Sequence, residues 1–210
     1  DESAIEVFSN AADEAFKPAS LEGREGTRRT LSEGRPYFIF VGSLHPRKNV
    51  EGLMSAFESY RALGGSWDLV VVGVAMWSDD LPALSEELRT HVHFPGRLNN
   101  ADLVRAVAGA EGLVFVPWFE GFGIPVVEAM ACGVPVISSN VTSLPEVCGD
   151  AAFALVDPAQ PEAIAHEMHR LELDSEAAQE ARQRGLARAK TYSWAATGAK
   201  LDKALNNMLS

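Results

Sequence analysis

The residues best suited to chemistry lie in the run Trp118-Phe119-Glu120-Gly121-Phe122-Gly123-Ile124-Pro125-Val126-Val127-Glu128-Ala129-Met130-Ala131-Cys132-Gly133. Pro125 suits the first position of a helix and Gly133 its stop. The first N–H groups of such a helix have no partner inside it. Gly121 and Gly123 carry no side chain, so a ligand can approach the backbone closely. Together Gly121, Phe122, Gly123 and Ile124 form a cradle for an anion, and phosphate is the natural occupant. Glu120 and Glu128 flank the cradle. A carboxylate facing a phosphate would repel it. Their expected work is to accept hydrogen bonds from hydroxyls beside the phosphates, as on a ribose and a hexose. Taken singly, each acid reads equally well as a solvated loop or helix residue.

A second group with chemical promise is Gly42-Ser43-Leu44-His45-Pro46-Arg47-Lys48-Asn49, at the carboxyl end of an apolar run from Tyr37 to Leu44. In open α/β sheets, ligands bind in the crevice at strand carboxyl ends. Arg47 and Lys48 would then share the crevice of the cradle and hold a diphosphate, although spacing alone fits two solvated charges as well. Asn49 is placed to cap the helix that follows. A third loop, Gly96-Arg97-Leu98, ends another short strand, and Arg97 reads equally as an exposed charge there. His91 and His93 share a strand face, but with no third ligand nearby they are expected to be structural or solvated, while His166 and His169, near one another on a later helix, are expected to be solvated. Trp77 is expected to pack.

The elements that must position these groups follow from the apolar runs. Tyr37–Leu44, Asp68–Val74, Val92–Phe94, Gly112–Val116, Pro135–Ser139 and Phe153–Val156 read as strands. Between and after them lie helical patterns: Leu53, Met54, Phe57 and Tyr60; Leu81–Thr90; Ala101–Ala108; the helix opening at Pro125; Pro161–Leu173; Glu176–Tyr192; and a terminal helix from Ser193-Trp194. Ser143 is placed to cap a turn at Leu144–Val147. Gly23 to Gly34 is mostly charged and reads as a loop or mobile linker. Continuous apolar strands alternating with helices predict an α/β fold: a doubly wound, mainly parallel sheet of about six strands with helices on both faces.

Composition narrows the function. The chain has 210 residues, 47% hydrophobic, and a formal charge of -11 from 29 acids and 18 bases. That balance argues against a nucleic-acid partner, which needs a basic surface. Cys132 and Cys148 are too few for a disulfide framework and point to reduced thiols and a cytoplasmic setting. No apolar run reaches the roughly 18 residues of a membrane span, and no signal-peptide pattern opens the chain.

Glu120-Gly121-Phe122-Gly123 followed by Glu128 resembles the E-x7-E signature of retaining glycosyltransferases of family 4. Gly133-Val134-Pro135-Val136-Ile137, Leu144-Pro145-Glu146-Val147 and Gly149-Asp150-Ala151-Ala152 resemble the same family, and the likeness runs from about residue 7 to about residue 195. It implies the second Rossmann-like domain of a GT-B fold, the half that holds a nucleotide-sugar donor. That domain would span 37–192, with 1–36 as interdomain linker or partial first-domain segment and 193–210 as a C-terminal helix. Residues from Val7 to Pro18 resemble the family's interdomain segment, with Ser9 and Ala11 in place of its usual Pro and Gly. The acceptor-binding first domain would then be missing from this chain.

Residue by residue, the resemblance implies that Lys48 contacts the diphosphate, that Gly42 and Ser43 line the donor site, and that the backbone at Arg97 and Leu98 meets the base edge. Ser43 stands where the more widespread form carries an arginine, and Arg47 is the candidate replacement. Glu120 would hold the transferred sugar's hydroxyls and Glu128 the ribose, so that Glu120, Lys48 and Arg47 are the candidate catalytic groups. Transfer would retain anomeric configuration. No metal and no cofactor beyond the donor are expected. GDP-mannose and UDP-hexoses both remain open as donors, and the resemblance leaves room for peripheral membrane association of the full enzyme. Two other readings compete. A dinucleotide-dependent oxidoreductase lacks its third glycine, which is Val126, and its ribose-binding acid, where Asn140 stands. A nucleotide-sugar-binding module without turnover has the same motifs.

Overall fold

Six strands frame the structure, a computed structural model that describes residues 6–74, 85, 86 and 88–209. They are β1 (Tyr37–Val41), β2 (Asp68–Val72), β3 (Val92–Gly96), β4 (Gly112–Phe115), β5 (Val136–Ser139) and β6 (Ala154–Val156). All pair in parallel, in the order β3-β2-β1-β4-β5-β6. Parallel sheets are covered on both faces, which is why β2 and β4 are buried at every residue and why β2, after Asp68, reads like β4 as an unbroken apolar run. The order reverses between β1 and β4, which pair at Phe38↔Gly112 and Ile39↔Leu113. The carboxyl ends of these two strands flank the crevice where such sheets take ligands.

The cover is built from α1 (Leu21–Leu31), α2 (Val50–Ala62), α3 (Asn100–Gly109), α4 (Ile124–Ala131), α5 (Leu144–Cys148), α6 (Pro161–Leu173), α7 (Ser175–Ala189) and α8 (Trp194–Leu209). The chief helix pairs are α2 with α6, α1 with α3, and α4 with α7. The core joins Phe38, Phe40 and Phe115 of the sheet to Leu53 and Phe57 of α2 and Ile164 and Met168 of α6. Mostly exposed, α8 is tied to the N-terminal segment: Thr197 Oγ1 donates to the Ser9 carbonyl and Lys200 Nζ to that of Val7, each at 2.8 Å. Among the described residues no helix is long and apolar enough to cross a membrane.

The N-terminal expectation is overturned. Much of the 23–34 stretch expected to be a loop is α1. The Ser20 hydroxyl caps it by accepting the Gly23 N–H at 3.2 Å. No α1 residue is buried, so no apolar period marks the helix in the sequence. It is anchored by charge instead. Arg24 and Arg28, joined by Arg182 of α7, converge on Glu111 at the start of β4. Burial alone would raise the Glu111 carboxyl, but the guanidiniums of Arg24, Arg182 and Arg28 outweigh it and hold the group below its ordinary range.

His91 and His93 are structural. His91 Nδ1 lies 2.9 Å from one oxygen of buried Asp68 and His93 Nε2 lies 2.6 Å from the other, where Arg35 Nε also donates at 2.7 Å. Trp77 and most of the helix expected over 81–90 lie outside the described residues; Leu88–Thr90 is a 3-10 turn.

Candidate active site

The β1 exit is stitched into the sheet before it turns. The Gly42 N–H donates to the Val72 carbonyl and the Leu44 N–H to that of Val74, each at 3.0 Å. A Cβ on Gly42 would press on the Phe40 ring at 3.3 Å and touch Lys48 Cε at an ordinary 3.7 Å, which puts the glycine next to the lysine stem. Ser43 follows it, half-buried. Pro46–Lys48 then form a 3-10 turn, with His45 Nδ1 accepting the Arg47 N–H at 3.1 Å.

Asn49, expected as a helix cap, does something else. Its backbone is left-handed, at φ 56°, and its side chain makes no cap bond. Its amide donates instead to the carbonyls of Val116 at 3.0 Å and Pro158 at 2.9 Å. Those carbonyls are buried, and satisfying them outweighs a local cap. The result rivets the β1 turn to the β4 exit. A second tie, from the Trp118 N–H to the Arg47 carbonyl at 2.9 Å, closes the same seam.

This seam brings the expected charged trio together. Lys48 is buried, with Nζ hydrogen-bonded to Glu120 Oε2 and 4.8 Å from the centroid of the Phe115 ring. Arg47 remains exposed, its Nη1 3.6 Å from the same carboxylate oxygen and donating to the Phe119 carbonyl at 3.3 Å.

The cradle follows directly. Gly123, at φ 104°, is the residue before α4, and a Cβ there would meet Leu144 Cδ2 at 2.6 Å, so both backbone and space require glycine. Gly121, by contrast, faces open space. The Gly121 N–H lies 3.3 Å from Glu120 Oε1, while the N–H groups of Phe122, Gly123 and Ile124 make no hydrogen bond to any described residue. Amides without a partner among the described residues, on the loop whose Glu120 pairs with two cations, suit a diphosphate.

The loop is held from behind by the β5 exit. The Glu120 N–H donates to Thr142 Oγ1 at 3.2 Å, and Ser143 Oγ donates to the carbonyls of Glu120 at 2.8 Å and Phe122 at 3.1 Å. Ser143 therefore makes no side-chain cap for α5, contrary to expectation. Nothing in residue type or spacing marks Thr142, whose contact is wholly tertiary.

Glu128 stands apart from the charged trio. It is half-buried in α4, and its carboxyl is pushed up to about 7, first by burial and then by the charge of Asp13. The N-terminal segment thus passes beside the second acid of the motif. Arg97 and Leu98 leave β3 at the same end of the sheet. Arg97 is exposed and Leu98 packs partly against the core. The exits are joined through the Gly73 N–H, which donates to the Gly96 carbonyl at 3.0 Å.

Comparison with known proteins assigns the chain to a family. The family profile described as Glycosyl transferases group 1 matches residues 25–188, most of the chain and all of the loops above. The chain belongs to that family. This group 1 domain is 40% identical over 163 residues to the O-antigen chain mannosyltransferase B of Escherichia coli, covering 75% of the chain and 42% of that protein. It is 30% identical over 152 residues to a GDP-mannose-dependent monoacylated alpha-(1-6)-phosphatidylinositol monomannoside mannosyltransferase of Corynebacterium glutamicum, covering 68% of the chain and 40% of that protein. The chain thus spans less than half the length of either relative.

Among solved structures, Anabaena HepE in complex with UDP and glucose superposes with a TM-score of 0.82 at 18% identity, over 96% of the chain and 56% of HepE. The C-terminal domain of the group 1 protein LpcC from Francisella tularensis superposes at 0.71 and 22% identity, over 87% of the chain and 97% of that domain. The group 1 domain therefore has the Rossmann-like architecture of GT-B glycosyltransferases. Its Gly-Phe-Gly follows β4, across the switch point from the β1 turn where a dinucleotide fingerprint would sit, so the oxidoreductase reading falls.

Proposed function

We propose that this domain binds a nucleotide-sugar donor, specifically GDP-mannose, and that in a longer protein it directs mannosyl transfer with retention of configuration onto a polysaccharide-type acceptor. The choice of GDP-mannose rests on the relatives, one of which is named as GDP-mannose-dependent and another as an O-antigen mannosyltransferase. The observation that carries the reading is the pairing of Lys48 and Arg47 with Glu120, on the loop whose amides at residues 122–124 have no partner among the described residues.

Breaking the bond between anomeric carbon and diphosphate oxygen pushes negative charge onto the leaving diphosphate and positive charge onto the sugar ring. Lys48, Arg47 and the amides are preorganised donors for the leaving group. Removing one such donor typically costs about 2.7–4 kcal/mol of transition-state stabilisation. Glu120 accepts from the sugar's hydroxyls, Glu128 from the ribose, and the backbone at Arg97 and Leu98 meets the base. No metal is needed in this scheme, because the cations and amides supply the countercharge.

Isothermal titration tests the reading. GDP-mannose and GDP should bind more tightly than UDP-glucose, UDP or NAD. Tighter binding of the uridine pair would overturn the choice of base, and preference for NAD would overturn the donor site itself.

A further inference from the structure

The β5 exit does more than lead into α5. Ser138 Oγ donates to the Phe115 carbonyl at 3.0 Å and Ser139 Oγ to that of Pro117 at 2.9 Å. Thr142 and Ser143 continue the series onto Glu120 and Phe122. Four hydroxyls in six residues are thus directed at the β4 exit. Thr142 holds φ 57°, a left-handed backbone that a β-branched residue rarely adopts. Such conformations persist where the surroundings over-determine them. Ser143 occupies the position before α5, where a serine ordinarily caps the helix. Its single proton is shared between two carbonyls of the neighbouring loop instead.

The geometry points to Thr142 and Ser143 as positioning residues of the donor site, setting how the Glu120 carboxylate is presented to the sugar. Between them they take both the N–H and the carbonyl of Glu120. Glu120 is followed by Gly121, which has only open space beside it, and the loop is next held by packing at Phe122, whose ring meets Tyr192. With its peptide groups held on both sides, Glu120 can lie against Lys48 and still reach a sugar beside the diphosphate. The clamp therefore controls the extra affinity that a sugar adds to a nucleotide. It rests on the donor reading above.

The discriminating variant is Thr142→Gly, which removes the hydroxyl and also relieves the left-handed backbone. A merely structural residue would change stability and all binding together. Here the melting temperature should hold or rise, GDP affinity should stay within about threefold, and GDP-mannose affinity should fall about tenfold, the scale of one hydrogen bond to a charged loop. Ser143→Ala should lower GDP-mannose affinity similarly, and Thr142→Ser should restore it. Amide exchange in the ligand-free chain provides an arm that needs no ligand: the Glu120 N–H, the loop amide held by Thr142, should exchange faster in Thr142→Gly and Ser143→Ala while β5 and α4 keep their protection. If wild-type chain binds no nucleotide sugar, the donor reading fails, and unchanged exchange would sink the clamp with it. If wild type binds but Thr142→Gly leaves the GDP-mannose to GDP ratio unaltered, the clamp alone is overturned.

Discussion

Replacing Glu120 by glutamine should tighten the binding of a bare nucleoside diphosphate, the opposite of what removing a catalytic group usually does. The reason lies in the ligand-free pairing. Glu120 neutralises Lys48, and their side chains are only 16% and 8% exposed, so the pair is poorly screened. Arg47 adds a second attraction at 3.6 Å. A diphosphate must draw both cations away from this carboxylate and settle next to its charge. At about 4 Å and an effective dielectric of about 20, one such pair of charges interacts by about 4 kcal/mol before solvation is counted. The net worth of a charge-assisted hydrogen bond is about 1.5–3 kcal/mol. Glutamine keeps the shape, and its side-chain oxygen still accepts the Gly121 N–H.

GDP should therefore bind Glu120→Gln roughly ten- to a hundredfold more tightly, at about 1.4 kcal/mol per tenfold. GDP-mannose should gain far less, because the variant loses a charged acceptor for the sugar's hydroxyls worth a similar amount. Titrations of both ligands, on wild type and variant, at low and at moderate salt, measure the two effects separately. The GDP gain should shrink with salt less than an exposed pair would, since the charges are buried. If Glu120→Gln leaves GDP affinity unchanged or weakens it, then Glu120 does not compete with diphosphate for Lys48, and the geometry has been misjudged.

Other outcomes follow from the same site. Lys48→Ala should weaken GDP binding by about 1.5–3 kcal/mol in the same titration, and an unaltered affinity would place the diphosphate elsewhere. Gly123→Ala should lower stability by about 1–3 kcal/mol in urea unfolding, because its φ of 104° and the nearby Leu144 both oppose a side chain. Glu128 is pushed up to about 7 in the fold, so its contribution to stability is complete below the ordinary carboxyl range near 4.5 and is lost as pH rises through 7. Glu128→Gln should accordingly gain on wild type by up to about 3 kcal/mol between pH 4.5 and pH 8, with Asp13→Asn recovering a smaller share; parallel pH profiles for all three would refute the assignment. EDTA should leave GDP-mannose affinity where it was, and a clear loss would reveal a metal in donor binding.

What could be read from the sequence divides along a physical line. The inner strands were legible because burial on both faces favours continuous apolar runs, so Leu69-Val70-Val71-Val72 and its counterparts stand out unaided. The Glu120–Gly123 loop was legible because α4 needs Pro and Gly at its ends and Gly123 needs its left-handed backbone. The failures occur where a polar side chain had both a local partner and a distant one. Asn49 and Ser143 have the types that cap helices, and local rules assign them that work. In the fold Asn49 is drawn across the switch point, and Ser143 over from the neighbouring β5 exit, to buried or loop carbonyls of the β4 exit, more than 20 residues from Ser143 and more than 60 from Asn49. Helix α1 was missed for the converse reason, since its anchor is Glu111, some 80 residues on, and not an apolar stripe. These contacts share a function. The sheet builds the frame from apolar patterning, while polar side chains taken from local service join the separate loops into one site. Substitutions at Asn49, Thr142 or Ser143 should therefore disturb ligand binding more than secondary structure, whereas exchanges among the buried strand residues should do the reverse.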